Sequence, residues 1–145
     1  MSAIVNDKGF NKIIENLERL ARTELTVGIF EGSVNRDGIE IAPYAYRNEF
    51  GLGVPQRSFM RSTYEEKNGW KNVIEQVYDE VIQGRSVESA VGMLGEIVTN
   101  DIKTKISNNI PPPNAIETVR RKGSSKTLID TGAMRQSVRP VITTR

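Results

Sequence analysis

WKNVIEQVYDEVIQGRSVESAVGMLGEIVTNDI, residues 70–102, contains the longest run of helical periodicity in the chain. Apolar residues recur every three or four positions before and after Gly84, which is the spacing of one buried face on each of two helices. Gly84 supplies a helix stop, and Ser86 can cap the helix that follows. Because two helices joined by a few residues pack antiparallel, the stretch predicts a long helical hairpin. The first helix is expected to bury a stripe formed by Trp70, Val73, Ile74, Val77, Tyr78 and Val81.

The flanking segments predict shorter elements. An amphipathic helix is expected over about 9–22, and ELTVGIF (24–30) alternates like a strand with one buried face. IEI (39–41) is expected to form a short returning strand, and a short helix is expected to follow and to stop at Gly51. AIETVRRK (115–122) predicts another short helix, and SVRPVIT (137–143) predicts a final edge strand.

These elements predict an α+β fold in a single domain, residues 1–145. A small, largely antiparallel sheet would be covered by the helical hairpin and by short helices, with extended loops at 31–38 and 107–127. Hydrophobic residues make up 37% and charged residues 26% of the chain, which is typical of a soluble globular protein.

The composition excludes several kinds of site. The chain has no cysteine and no histidine, which rules out disulfides, thiolate or imidazole metal sites and Ser-His or Cys-His catalysis. No run approaches the roughly 18 apolar residues of a membrane span, and MSAIVNDKGFNK lacks the features of a secretory signal. We therefore expect a protein that is made and kept in a cytoplasm and that does not enter a membrane.

Charge is unevenly distributed along the chain. Residues 1–100 hold 11 Lys/Arg and 15 Asp/Glu, a net −4, whereas residues 101–145 hold 9 and 3, a net +6. The basic part could contact nucleic acid, could meet an acidic surface of a neighbouring subunit, or could be a solvated tail. Arg120-Arg121-Lys122 is the best nucleic-acid candidate, but no aromatic residue is interleaved for base stacking.

LIDTGA (128–133) matches the active-site string of retroviral-type aspartic proteases. In such a protease, downstream strands build the flap and the rest of the site, yet only 13 residues follow Gly132 here. Asp130 or Thr131 at the start of a short helix, accepting hydrogen bonds from free amides, explains the string better. No other acidic pair is set apart for acid–base work or for a hard cation. We expect no enzyme, no metal and no cofactor.

Two further points are left open by the sequence. Gly92 and Gly95 either allow close helix packing or simply weaken their helix. For Phe50, packing into the core is the favoured interpretation.

Three ordered segments resemble the tail-completion, or head–tail joining, family of long-tailed bacteriophages. They are VGIFEG (27–32), YAYRNEFGLGVPQRSFMR (44–61) and NAIETVRRKGSSKTLIDTGAMRQSV (114–138). Members typically show Asn-Glu-Phe-Gly, then proline followed by Arg-x-Phe-hydrophobic-Arg, a long helical hairpin, and a late Asp-Thr-Gly. In this chain the corresponding residues are Asn48-Glu49-Phe50-Gly51, Pro55-Gln56-Arg57-Ser58-Phe59-Met60-Arg61, and Asp130-Thr131-Gly132 followed by Ala133-Met134-Arg135-Gln136-Ser137.

The resemblance implies a non-enzymatic structural protein of the virion, assembled in the host cytoplasm, in the neck between DNA-filled head and tail. Its expected partners are further copies of itself in a ring, expected to be a hexamer, and neighbouring neck, head-closure, tail-terminator or tail-tube proteins. Specific nucleic-acid binding is not expected. A tail terminator or other minor tail protein is the alternative within this class, and a small basic nucleic-acid-binding accessory protein is the alternative outside it.

A closed ring needs heterologous surfaces, in which one patch meets a different patch on the next copy. Arg57 and Arg61 are hypothesised to pair with acidic groups within or between subunits, although arginines lying along a solvated helix would look the same. The candidate subunit-interface residues are Glu49, Arg57, Arg61, Arg120, Arg121, Lys122, Arg135 and Arg139.

Overall fold

The computed structural model describes residues 7–123, 127 and 132–145. In this part of the chain there are seven α-helices and a two-stranded antiparallel sheet, so the predicted α+β class is confirmed. The helices are α1 (Lys8–Ala21), α2 (Ile41–Phe50), α3 (Met60–Glu66), α4 (Lys71–Ile82), α5 (Val87–Ser107), α6 (Ile116–Lys122) and α7 (Ala133–Ser137). The strands are β1 (Thr23–Gly28) and β2 (Arg139–Thr144).

The sheet joins two segments that are distant in the sequence. β1 pairs antiparallel with β2, from Thr23 opposite Thr144 to Gly28 opposite Arg139. The first strand is therefore completed by the last one, across most of the chain.

The prediction of a strand at 39–41 is wrong. The segment contributes only an isolated bridge, between Val34 and Glu40, and Ile41 is already the first residue of α2. The side-chain oxygen of Asn35 accepts hydrogen bonds from the amides of Asp37 and Ile39, both at 2.9 Å. These bonds close the loop into a turn of the kind that asparagine favours, so the chain reverses instead of extending.

The α4–α5 hairpin forms at the predicted place. α4 ends before Gly84, which adopts a φ of 102°, and the Ser86 side chain accepts a hydrogen bond from the Ser89 amide at the start of α5. A first core cluster joins the two helices near this turn, and residues of α1 and β1 pack against it. The buried members of this cluster are Val77, Val81, Val87, Ala90 and Val91.

The carboxyl-terminal half of α5 carries a second core cluster. At about 1.5 Å of rise per residue, the 21 residues of α5 span roughly 30 Å, which is enough for two clusters along one helix. This second cluster joins α5 to α2, to the start of α3 and to α7. Its buried members are Ile41, Ala45, Phe59, Val98, Ile102, Ile106, Met134 and Val138.

The sheet crosses α5 at Gly95. A Cβ atom on Gly95 would lie 2.9 Å from Cβ of Pro140 in β2 and 3.2 Å from Cδ1 of Leu25 in β1, whereas one on Gly92 would meet nothing within 4 Å. Close packing is thus the role of Gly95 alone, and its neighbour is the sheet and not another helix.

Candidate subunit interface

Glu49 connects the two halves of the segment 44–61. Its Oε2 accepts hydrogen bonds from the amides of Phe59 at 2.8 Å and Met60 at 3.0 Å, and its Oε1 accepts from Ser58 Oγ at 2.7 Å and the Arg61 amide at 3.0 Å. These amides belong to the first turn of α3, where a helix leaves its N–H groups without partners of its own. The carboxylate therefore caps α3 from the end of α2.

The charge of Glu49 is stabilised within the chain. Burial by itself raises the pKa of this carboxyl, but the hydrogen bonds from Met60, Ser58, Arg61 and Phe59 outweigh burial and hold the pKa below its ordinary value. With 7% of its surface exposed, Glu49 turns inward and its carboxylate is bound within the chain, whereas its place in a subunit interface stays a prediction.

Arg57 is also turned inward, with 6% of its surface exposed. Its Nε donates to the carbonyl of Pro112 at 2.9 Å, and an Nη donates to the carbonyl of Pro113 at 3.5 Å. Its backbone amide donates to the carbonyl of Asn48 at 2.7 Å. The guanidinium therefore ties the α2–α3 segment to the chain that leads into α6, through carbonyl oxygens instead of the acidic groups that were hypothesised.

Arg61 has a different position. It is exposed on α3, and within the residues that the structure describes it forms no ion pair. Pairing of Arg61 with an acidic group of another subunit stays a prediction.

The other basic candidates are spread over the carboxyl-terminal part of the chain. Arg120 and Arg121 are exposed on α6, and Lys122 is partly buried at the end of that helix. Arg135 is exposed on α7. Arg121 and Lys122 line a cleft described below, whereas Arg120 and Arg135 are not among its lining residues.

Arg139, at the start of β2, makes a contact within the chain. Its guanidinium carbon lies 4.4 Å from the centre of the Phe30 ring, a cation–π arrangement that fixes the side chain beside the loop after β1. This contact occupies one face of the guanidinium and was not foreseen from the sequence.

A cleft of about 730 Å³ brings three of the candidates together. Arg57, together with Arg121 and Lys122 of α6, lines this cleft, and Tyr44, Val54 and Met134 are among the remaining lining residues. Asp130 and Thr131, for which a capping role was expected, lie outside the described residues.

Two aromatic residues are exposed on α2, which the sequence interpretation missed. Phe50 was expected in the core, but 49% of its surface is exposed, and its ring lies 4.6 Å from the ring of Tyr46, which is also exposed. The buried positions of α2 are Ile41, Ala45 and Glu49, four residues apart, so the next residue, Phe50, points about 100° away from the core. The i, i+4 pair of aromatic residues was the available signal.

The loop after α2 also exposes apolar residues. Leu52 and Val54 are large hydrophobic residues that remain exposed in the loop between α2 and α3. Tyr46, Phe50 and Leu52 are called the aromatic patch below.

α4 carries a second exposed apolar stripe. The predicted single buried stripe is divided in the structure, because Val77 and Val81 are buried whereas Ile74 and Tyr78 are exposed. Ile82 continues the exposed row at the same four-residue spacing. Ile74, Tyr78 and Ile82 are called the α4 stripe below.

Within residues 7–123, 127 and 132–145, no group of three or more acidic side chains is arranged to hold a metal ion. The helices of this part of the chain include none that is both long enough and apolar enough to cross a membrane. Comparison of the chain with protein-family models, with curated proteins and with solved structures gave no match.

Proposed function

We propose that this chain is a structural protein of a long-tailed bacteriophage, working in the neck ring that joins the DNA-filled head to the tail. In this role it binds further copies of itself and the neighbouring neck and tail proteins, and it catalyses no reaction. A tail terminator or another minor tail protein is the alternative position in the same particle.

The observation that carries the proposal is the convergence of the three segments on which the resemblance rests. Glu49, from the Asn-Glu-Phe-Gly motif, accepts hydrogen bonds from the backbone amides of Phe59, Met60 and Arg61 in the motif that follows Pro55. Phe59 then shares the second core cluster with Met134 from the third segment, and Val27 from the first segment packs against the same cluster.

This convergence supports the resemblance because a common structural unit requires its motifs to contact one another, and here they do. Here described residues of all three segments contribute to one core cluster at the carboxyl-terminal half of α5. The aromatic patch lies on the outside of that unit, and exposed apolar patches of this kind often mark protein–protein contacts.

Removal of the coding sequence from the phage or prophage that carries it provides the test. Electron microscopy of lysates should show DNA-filled heads and separate tails, and the wild-type chain supplied in trans should restore joined particles. Joined, infectious particles in the complete absence of the protein would contradict the proposal. Tails of uncontrolled length beside unjoined heads would favour the tail-terminator position.

The non-enzymatic part of the proposal has its own test. Asp130→Asn removes the acid that a protease would require, and the variant should still restore joined particles. This part of the proposal would be contradicted if a structural protein of the particle is processed with the wild-type chain but stays unprocessed with the Asp130→Asn variant.

Exposure of Arg120 and Arg121 on α6 favours nucleic-acid binding as a second candidate function. Binding through phosphates would weaken steeply as salt rises, with a slope of the logarithm of affinity near −0.9 for each phosphate neutralised. Titration of a short DNA duplex at several salt concentrations separates the candidates, because the neck proposal requires no such binding.

A further inference from the structure

The chain exposes two apolar surfaces that lie on different core clusters. The aromatic patch belongs to α2 and the following loop, which cover the second cluster, near the carboxyl-terminal half of α5. The α4 stripe runs beside Val77 and Val81, which belong to the first cluster, near the start of α5. The two surfaces therefore lie on different helices, α2 and α4, which pack against different core clusters along α5.

Separate surfaces of this kind suit a head-to-tail contact. In a heterologous contact, one patch of a subunit meets a different patch of the next, so each subunit needs two surfaces that are far enough apart to be used at the same time. A two-fold contact would need only one self-complementary surface.

The charged groups beside the two surfaces are complementary. Arg47 is exposed on α2, next to Tyr46 in the aromatic patch. Glu75 and Asp79 are exposed on α4, each directly following a member of the α4 stripe. Lys71 lies one turn from Glu75, so the end of α4 near Asp79 is the more acidic part of that surface and the better partner for Arg47.

The sizes of the surfaces fit the centre of an interface. With about 150–250 Å² for each aromatic side chain when fully exposed, Tyr46 and Phe50 together present on the order of 200 Å², and Leu52 adds a smaller exposed area. A specific interface buries roughly 800 Å² on each partner and has an apolar centre within a polar rim. The aromatic patch and the α4 stripe would supply that centre, and Arg47, Glu75 and Asp79 would supply part of the rim.

We propose that the aromatic patch of one copy docks on the α4 stripe of a second copy, with Arg47 of the first facing Glu75 and Asp79 of the second. Repetition of this contact builds a ring. The inference deepens the proposed function by naming the surfaces through which the neck ring closes.

Two variants, mixed, provide the test. Phe50→Glu disables the aromatic patch and leaves the α4 stripe intact, and Tyr78→Glu does the reverse. Both residues are about half exposed, at 49% and 51%, so neither change adds a charge to a core cluster. Each variant alone should associate about 30-fold or more weakly than the wild type, because an aromatic residue at the centre of an interface commonly carries that share of affinity.

The mixture distinguishes the head-to-tail contact from any other. A Tyr78→Glu chain still has its aromatic patch and a Phe50→Glu chain still has its α4 stripe, so a one-to-one mixture should form a heterodimer that cannot grow further. Sedimentation velocity and native mass spectrometry would detect this heterodimer at protein concentrations up to about 1 mM. Ile116→Glu on α6 is the matched control, since Ile116 is 72% exposed but lies on neither surface, and it should leave association unchanged.

Cross-linking covers the case of weak association. Because the chain has no cysteine, Leu52→Cys and Ile82→Cys chains can be joined by a short bis-maleimide without background reaction. The mixed pair should cross-link more than a pair in which Ile116→Cys replaces either partner.

The proposal is overturned if the mixture gives no heterodimer where the wild type associates, or if a single variant associates as well as the wild type. It is equally overturned if the wild type stays monomeric and Leu52→Cys with Ile82→Cys cross-links no better than the control. These results concern the purified chain alone, so they leave the neck function to be decided by the particles that lack the protein.

Discussion

Glu49 shows how a single residue can carry a charge in the interior and still stabilise the fold. Each carboxylate oxygen accepts two hydrogen bonds, three of the four from backbone amides at the start of α3. Transfer of a carboxylate out of water is costly unless such donors replace the water, and here the donors would otherwise be unpaired themselves. The bonds satisfy both partners at once, so the residue fixes the angle between α2 and α3.

Glu49→Gln should destabilise the protein by about 2–3 kcal/mol, because the amide offers one acceptor oxygen and turns an N–H₂ group toward N–H donors. Urea unfolding followed by circular dichroism measures the change in the free energy of unfolding. Glu65→Gln, an exposed acid on α3, is the matched control and should stay within about 0.5 kcal/mol of the wild type. Equal effects of the two substitutions would rule out the capping role.

The lowered pKa of Glu49 also predicts how stability depends on pH. The folded-state pKa lies below the ordinary value of 4.5, so the unfolded chain takes up the proton first as pH falls. The stabilisation is complete above the unfolded pKa and is lost as pH falls through the lower folded pKa. The difference in unfolding free energy between wild type and Glu49→Gln should therefore be constant near neutral pH and should shrink below about pH 4.5. A difference that grows on acidification would contradict the assignment.

At the scale of one element, substitution of the two glycines of α5 distinguishes the effect of helix propensity on stability from the effect of packing against the sheet. Gly95→Ala places a methyl group 2.9 Å from Pro140 Cβ, a ring atom that cannot swing aside, and overpacking of this kind costs about 1–3 kcal/mol. Gly92→Ala meets nothing within 4 Å and should gain up to about 1 kcal/mol of helix propensity. Opposite signs in urea unfolding are the expected result, and stabilisation by both substitutions would mean that the sheet does not lie this close to α5.

The same element shows which features periodicity predicts. The repeat around Gly84 placed both helices of the hairpin and the stop between them, because the spacing of apolar residues and the capping residue are local properties. Periodicity could not decide which side of α4 faces the core, because Ile74 and Tyr78 extend the apolar arc beyond Val77 and Val81. In α2 the buried position after Ala45 is occupied by Glu49, so hydrophobicity assigned Phe50 to the core instead. The burial of Glu49 is explained only by its hydrogen bonds to the amides of α3, which belong to another segment.

At the scale of the whole molecule, the pairing of the sheet lay beyond sequence patterns. Both strands were predicted to within two residues of their observed ends, but nothing local indicates that β1 pairs with β2 and not with the segment at 39–41. The candidate interface shows the same limit. Charge alone marked Glu49 and Arg57, which the fold uses internally, and it did not mark Tyr46 or Phe50, whose exposure depends on how α2 is rotated.

Because β2 pairs with β1, removal of the carboxyl-terminal residues is predicted to disrupt tertiary packing throughout the protein. A chain that stops at Val138 lacks β2, which leaves β1 without its partner and exposes Gly95 and Leu25 on α5 and β1. The α4–α5 hairpin keeps its own cluster around Val81, so helical structure should persist while the fixed packing around it is lost. The far-ultraviolet circular dichroism spectrum should change little. Unfolding followed by near-ultraviolet circular dichroism and by Trp70 fluorescence should no longer show a cooperative transition. Removal of Arg145 alone is the control, because it deletes one backbone hydrogen bond to Arg22 and an exposed ion pair with Glu24 worth about 1 kcal/mol at most, and it leaves the β1–β2 pairing in place. A chain ending at Val138 that unfolds as cooperatively as the full chain would show that the sheet is an accessory to the fold, and that α5 is organised by its helical neighbours alone.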